Sequence, residues 1–96
     1  MPVLWTRPAL ADLDQIQDFI AQTNPVAAFR LTARIIERTT TLLGKNPSIG
    51  RPGRVTSTRE LVISASPYIV VYRQREAAEI LAVIHGAREW PEGFPS

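Results

Sequence analysis

The chain has 96 residues, 45% of them hydrophobic and 21% charged, with a formal net charge of +2. A chain this short buries about 60–65% of the surface it exposes when unfolded, which allows one domain, residues 1–96, with one modest core and no deep substrate cavity. No cysteine is present, which excludes disulfides and thiolate metal sites, and a single histidine leaves a protein-only zinc site without ligands at workable spacing.

The longest apolar runs fall far below the roughly 20 residues that cross a bilayer. The expectation is a cytoplasmic protein that needs no membrane, cofactor or small-molecule ligand. Ten of the eleven basic residues are arginine, and Lys45 is the only lysine. Arginine suits bidentate contacts to carboxylate or phosphate, so an acidic partner fits, although a GC-rich genome would encode the same bias.

Val3-Leu4-Trp5 is a short apolar run that can pair at the edge or in the middle of a sheet. Thr6 is a helix N-cap and Pro8 falls in the first turn, where a missing N–H costs nothing. From Ala9 to about Gln22, Leu10, Leu13, Ile16 and Ile20 fall near one helical face, with Asp12, Asp14, Gln17 and Asp18 on the rest. Asp12 and Asp14 complement the positive end of the helix dipole. Thr23-Asn24-Pro25 ends this helix and starts a second, which carries Ala28, Leu31, Ile35 and Leu42 inward and Arg30, Arg34, Glu37 and Arg38 outward. Gly44 is its natural stop. So short a connection predicts an antiparallel helical hairpin.

Residues 47–57 form a loop of turn-forming Gly and Pro with no periodicity. In it Arg51 and Arg54, flanked by Gly50, Pro52 and Gly53, have no acid nearby in sequence. Arg59 extends the same basic patch. Three runs rich in β-branched and aromatic residues follow, Arg59 to about Ser64, Tyr68 to Arg75 and Glu79 to about Ala87, which predict an antiparallel meander. Strict alternation in the last run puts Ile80, Ala82 and Ile84 on one face and Leu81, Val83 and His85 on the other. A helical hairpin covers one face only, so the second is expected to meet a partner, or else the Pro- and Gly-rich tail.

This order of elements carries a particular set of residues: Trp5, Ala9, Asp12-Leu13, Ile16, Phe19-Ile20, Asn24-Pro25, Ala27-Ala28, Pro47, Gly50-Arg51, Thr58 through Leu61, Pro67 through Val70, Tyr72, His85 through Arg88, and Trp90-Pro91. Together they resemble the RelE/ParE superfamily, the toxins of bacterial type II toxin–antitoxin modules, with the ParE-like branch favoured. The resemblance covers Val3 to Pro91 and implies an α+β fold of order β-α-α-β-β-β, with the hairpin packed on one face of an antiparallel sheet. It also implies a cognate antitoxin that wraps the toxin and brings it, indirectly, to operator DNA. RelE-like members cut mRNA in the ribosome, whereas ParE-like members poison DNA gyrase.

A ribonuclease must activate a 2′-hydroxyl, stabilise a pentavalent phosphorane and protonate the leaving oxygen. Here Arg59, Arg73, His85 and Arg88 are the available set. Arginine is a poor base, no lysine lies on the sheet, and Trp90 stands where nuclease relatives often carry a tyrosine. His85 reads either as a general acid or base or as a strand histidine that helps shape the following turn. Glu60 reads as a cross-strand partner for an arginine or as a base. Tyr68 and Tyr72 share a face and suit packing, in the core or at an interface. Trp90 reads as a tail anchor or a partner contact. The expectation is a gyrase-directed toxin that acts by binding, with Arg51, Arg54, Arg59, Tyr68, Tyr72, Leu81, Val83, His85, Arg88 and Trp90 as contacts to target or antitoxin. The alternatives are a ribosome-dependent endonuclease and a degenerate toxin that serves only in repression.

Overall fold

The computed structural model describes residues 1–86. Its elements run β1 (Val3–Trp5), α1 (Arg7–Ala21), α2 (Pro25–Lys45), β2 (Arg51–Pro52), β3 (Arg59–Val62), β4 (Tyr68–Gln74) and β5 (Ala78–His85). The strands form one five-stranded sheet in the order β1-β5-β4-β3-β2. β2 through β5 pair antiparallel, and β1 lies parallel to β5 at the edge. The sheet is therefore mixed, and it has one strand more than the sequence pattern predicts. The extra strand, β2, is two residues long, too short for any periodicity to reveal.

Local chemistry sets the helix ends. Thr6 caps α1 by accepting the Ala9 N–H at 3.4 Å, and its own hydroxyl and backbone N–H both donate to Ile80 O, at 2.6 and 3.1 Å. One residue thus ends the β1 ladder and starts the helix. Asn24 caps α2 by accepting the Ala27 N–H at 3.0 Å. At the other end the helix runs through Gly44, contrary to the expected stop, and finishes at Asn46, whose N–H donates to Leu42 O at 2.9 Å.

The core joins Ala9 and Leu13 of α1, Ile35 and Leu43 of α2, and Leu61, Ile63, Tyr68, Val70, Tyr72, Ala78, Ile80 and Val83 of the sheet. Ile16, Ile20, Leu31 and Leu42 pack around it partly buried, whereas Leu10, expected on the buried face, is 46% exposed. Thr32 lies between Ala28 and Ile35 on the core-facing side of α2 and is buried, its single hydroxyl proton within reach of Ala28 O in α2 at 3.1 Å and Gln17 Oε1 of α1 at 3.0 Å.

Two expectations about the sheet need correction. First, the register of β4 against β5 shifts between Val71 and Tyr72: Val71 pairs with Ala82, but Tyr72 pairs with Ile80. Leu81 is the extra residue of a bulge, and the bulge reverses the alternation. Ile80 therefore shares the helix-facing side with Val83, not with Ala82. Second, the face turned away from the helices is not open along its centre, since Ile69, Val71 and Ala82 are all buried. β5 ends at His85, two residues short of the expected Ala87, and the Gly86 N–H donates to Pro67 O at 2.7 Å; the tail from residue 87 onward lies outside the described residues.

α1 also closes part of an edge. β1 pairs with β5 only from Ala78 to Ile80, too short to reach the rest of that strand. Beyond it the Asp12 carboxylate accepts the Val83 N–H at 3.0 Å. Asp12 sits in the second turn of α1, so its role is to satisfy an exposed strand edge and not to complement the helix dipole. Burial raises its carboxyl above the usual 3.8, against the opposing pull of the Val83 N–H.

Candidate functional site

The loop after α2 is held by three anchors, and the arginines that looked available, Arg51 and Arg59, are engaged in holding it. Glu60 is 3% exposed and pairs across the β2–β3 ladder with Arg51. Its Oε1 accepts from Arg51 Nε and Nη2 at 3.2 and 3.0 Å, while its Oε2 accepts the Arg54 backbone N–H at 2.9 Å. A buried carboxylate thus holds the whole turn, and the expectation of a loop with no acid nearby is overturned. Sequence distance hid it: Glu60 stands nine residues after Arg51, and only the ladder brings the two together.

Tyr72 is the second anchor. It is wholly buried, its hydroxyl donates to Pro47 O at 2.7 Å, and it accepts the Gly50 N–H at 2.9 Å. Burial lifts its phenol above the usual 10.0, opposed by the Gly50 N–H and the Arg59 charge. A Cβ on Gly50 would stand 2.7 Å from the Tyr72 ring and 3.0 Å from Glu60 O, so glycine is required by close approach. Arg59 is the third anchor. Its Nη1 donates to Gly50 O at 2.8 Å and Ser48 O at 3.3 Å, and its Nε donates to Gln74 Oε1 at 3.1 Å.

Further along the sheet, Arg73 Nε meets Glu79 Oε1 at 2.6 Å across the β4–β5 ladder. His85 stacks edge-on against Tyr68, ring centroids 5.4 Å apart. Of the expected contact residues, Tyr68, Tyr72, Leu81 and Val83 are each at most 8% exposed, so they build the interior and present no surface. Arg88 and Trp90 lie outside the described residues.

The structure does not bring Arg59, Arg73 and His85 together. Arg59 pairs with Tyr72 and His85 with Tyr68, four residues apart on β4, which separates the two by about 13 Å along the strand. Arg73, adjacent to Tyr72 in β4, points to the opposite face of the sheet. Among the described residues no cluster of His, Cys, Asp and Glu could hold a metal ion, and no helix is long and apolar enough to cross a membrane.

What the sequence pattern left unassigned is the outer face of the hairpin. Phe19 is 63% exposed, Val26 59%, Phe29 66% and Ile36 42%. Beside them on α2 stand Arg30, Arg34 and Arg38, all exposed. Among the described residues these three make no salt bridge or side-chain hydrogen bond, in contrast to Arg51, Arg59 and Arg73. The signal was in the sequence: a second apolar stripe at helical spacing, off the core stripe.

This α+β architecture is that of a small bacterial toxin. A chain of the chromosomal ParDE TA system from P. aeruginosa superposes with a TM-score of 0.78 at 30% identity, covering 88% of this chain and 95% of that one. A Sinorhizobium fredii (strain NGR234) protein carrying the provisional name toxin Y4kP is 44% identical over 90 residues, 94% of this chain and 93% of its own. Toxin RelE2 of Caulobacter vibrioides is 38% identical over 87 residues, 90% of this chain and 96% of its own. Residues 3–90 match the profile of the ParE toxin of the type II toxin–antitoxin system, parDE. The chain belongs to the ParE toxin family.

Proposed function

We propose that this toxin acts by binding and not by catalysis, that its target is DNA gyrase, whose inhibition blocks replication, and that a cognate antitoxin neutralises it by wrapping around it. The observation that carries the reading is the dispersal, among the described residues, of the acid–base and phosphate-binding groups that the sequence offered for catalysis. His85, Arg59 and Arg73 occupy two faces and two ends of the sheet, and Arg59 and Arg73 are engaged with Gln74, Glu79 and loop carbonyls. A phosphoryl-cleaving site needs those groups converging within hydrogen-bond reach of one phosphate. The gyrase assignment rests on the ParE family match, with operator DNA reached only through the antitoxin.

The test runs the purified protein in a gyrase supercoiling assay and in a ribosome-dependent mRNA cleavage assay. The expected result is inhibition in the first and none in the second. Site-specific mRNA cleavage that is lost in His85→Ala would replace this reading with an endonuclease. Inactivity in both assays, with normal growth on expression, would leave repression with the antitoxin as the function.

A further inference from the structure

The water-facing side of the hairpin is ordered by charge across its width. The Gln17–Thr32 hydrogen bond marks the flanks by which α1 and α2 meet, so at about 100° per residue the outer side chains of each helix can be ranked by distance from that seam. Next to the seam stand Leu10 of α1 and Val26, Phe29 and Ile36 of α2, between 42% and 66% exposed. Beyond Leu10 on α1 come Asp14 and Asp18, and beyond the apolar row on α2 come Arg30 and Arg34. All four are exposed, and among the described residues their side chains make no hydrogen bond or ion pair. From α1 to α2 the face therefore reads acid, apolar, base.

We propose that this face is the interface of a homodimer, in which a second copy of the chain lays its hairpin on the first about a two-fold axis parallel to the helices. Such an axis exchanges the two sides of the face, so α1 of each copy lies over α2 of the other and opposite charges meet twice. The heights agree as well. The axis leaves position along the helices unchanged, and Gln17 beside Thr32 fixes which residues of the antiparallel pair share a height. Counted from that pair, Asp14 is level with Ile35 and Asp18 with Leu31, each about one residue, or ~1.5 Å, from Arg34 and Arg30. Asp14 thus faces Arg34 of the second copy, and Asp18 faces Arg30. Arg7 and Glu37 carry the reversed signs: Arg7 stands about two turns from Asp14, and Glu37, about a turn past Arg34, subtracts from the match without reversing it. Phe29, the most exposed large apolar side chain among the described residues, lies beside the axis and packs on its own copy. A second copy is the occupant because the pattern is its own complement in sign, order and spacing. The face measures about 20 by 22 Å, two helix diameters by the length of α1. That is roughly half of the ~800 Å² per partner in a standing interface, so the dimer is weak and forms as concentration rises. The proposal depends on neither the target nor the antitoxin.

Sedimentation of the purified full-length toxin, across concentrations and at low and high salt, tests the interface. A monomer–dimer equilibrium with a Kd on the order of 10–100 μM is expected, weakening as salt rises. Phe29→Glu places two like charges at the axis and should weaken the dimer at least ~10-fold while melting like wild type. The charge variants test the symmetry. Asp14→Lys with Asp18→Lys makes both helices basic, and Arg30→Glu with Arg34→Glu makes both acidic, so each variant alone should be monomeric. Mixed in equal amounts, the two should form a heterodimer about as tight as the wild-type dimer, because every pair across the axis is again opposite in sign. A wild-type chain that stays monomeric up to about 1 mM, well above that Kd range, overturns the proposal. So does a dimer unchanged in Phe29→Glu, which would lie on another surface, or a mixture of the two charge variants that stays monomeric.

Discussion

The loop–sheet region and the helical hairpin use the same residue types to opposite ends. Around β2 and β3, Arg51 and Arg59 point at acceptors the protein supplies, namely Glu60, Gln74, Ser48 O and Gly50 O, and Tyr72 lies under them as a buried strut. On α2, Arg30, Arg34 and Arg38 face water beside Val26, Phe29 and Ile36. Arginine content therefore says little about function until each guanidinium has been followed to its partner. In this fold the cations nearest the sheet are structural, and those on the hairpin are available to another molecule.

Substitution should separate the two regions by stability. The largest loss is expected from Glu60→Ala, which leaves the Arg54 N–H without its acceptor and Arg51 without its partner, and opens a buried gap. Because the Arg51 side chain is 54% exposed and can be rehydrated, the cost should be about 2–4 kcal/mol and not the full toll of an orphaned buried charge. Chemical denaturation measures it, and Arg34→Ala in the same assay should stay within about 0.5 kcal/mol of wild type.

Tyr72→Phe should cost somewhat less, about 1–3 kcal/mol, since it removes one hydroxyl that serves the Gly50 N–H and Pro47 O together. Proteolysis within residues 47–57 should quicken in that variant, because the loop loses a strut while the core keeps its ring.

Asp12→Ala should cost about 1–2 kcal/mol by baring the Val83 N–H at the strand edge. Asp12→Asn keeps an acceptor and removes the ionisation. The folded carboxyl titrates above its unfolded value of 3.8, so the folded state holds the proton longer. Its contribution is fully present below 3.8 and is lost as pH rises through the folded value. The stability difference, Asn variant minus wild type, should therefore grow as pH rises from about 4 and level off; a flat difference would show that Asp12 is not desolvated.

The smallest effect is a gain. Ala65 sits at φ 58°, a left-handed conformation that suits glycine. Ala65→Gly should stabilise by a few tenths up to about 1 kcal/mol, the relief of strain being offset by added freedom in the unfolded chain. Thermal melting at high precision is the readout.

Most of the fold was legible because its signals are local. Thr6, Asn24 and the periodicities of α1 and α2 lie within a few residues of what they specify, and the β-branched runs announce β3, β4 and β5. What escaped was set by long-range pairing. The bulge at Leu81, the Arg51–Glu60 pair and the Asp12–Val83 contact, 71 residues apart in sequence, exist only once strands are in register. The contact residues were misjudged for the same reason, since alternation gives a side chain's face but not what covers it. Leu81 and Val83 were read outward and lie inside, and Tyr68 and Tyr72, which suited packing in the core or at an interface, take the core. Val26, Phe29 and Ile36 also stand at helical spacing on α2, but spacing alone does not say which of two apolar rows the core takes.

The central claim is that arginines near the sheet hold the fold while the exposed arginines of α2 do not, and one paired measurement tests it. Arg51→Ala with Arg59→Ala, and Arg30→Ala with Arg34→Ala, are each carried through chemical denaturation in the same buffer. The account predicts that the first pair lowers stability by about 2 kcal/mol or more, while the second pair unfolds like wild type. Native stability in the first pair, or an equal loss in the second, would contradict it.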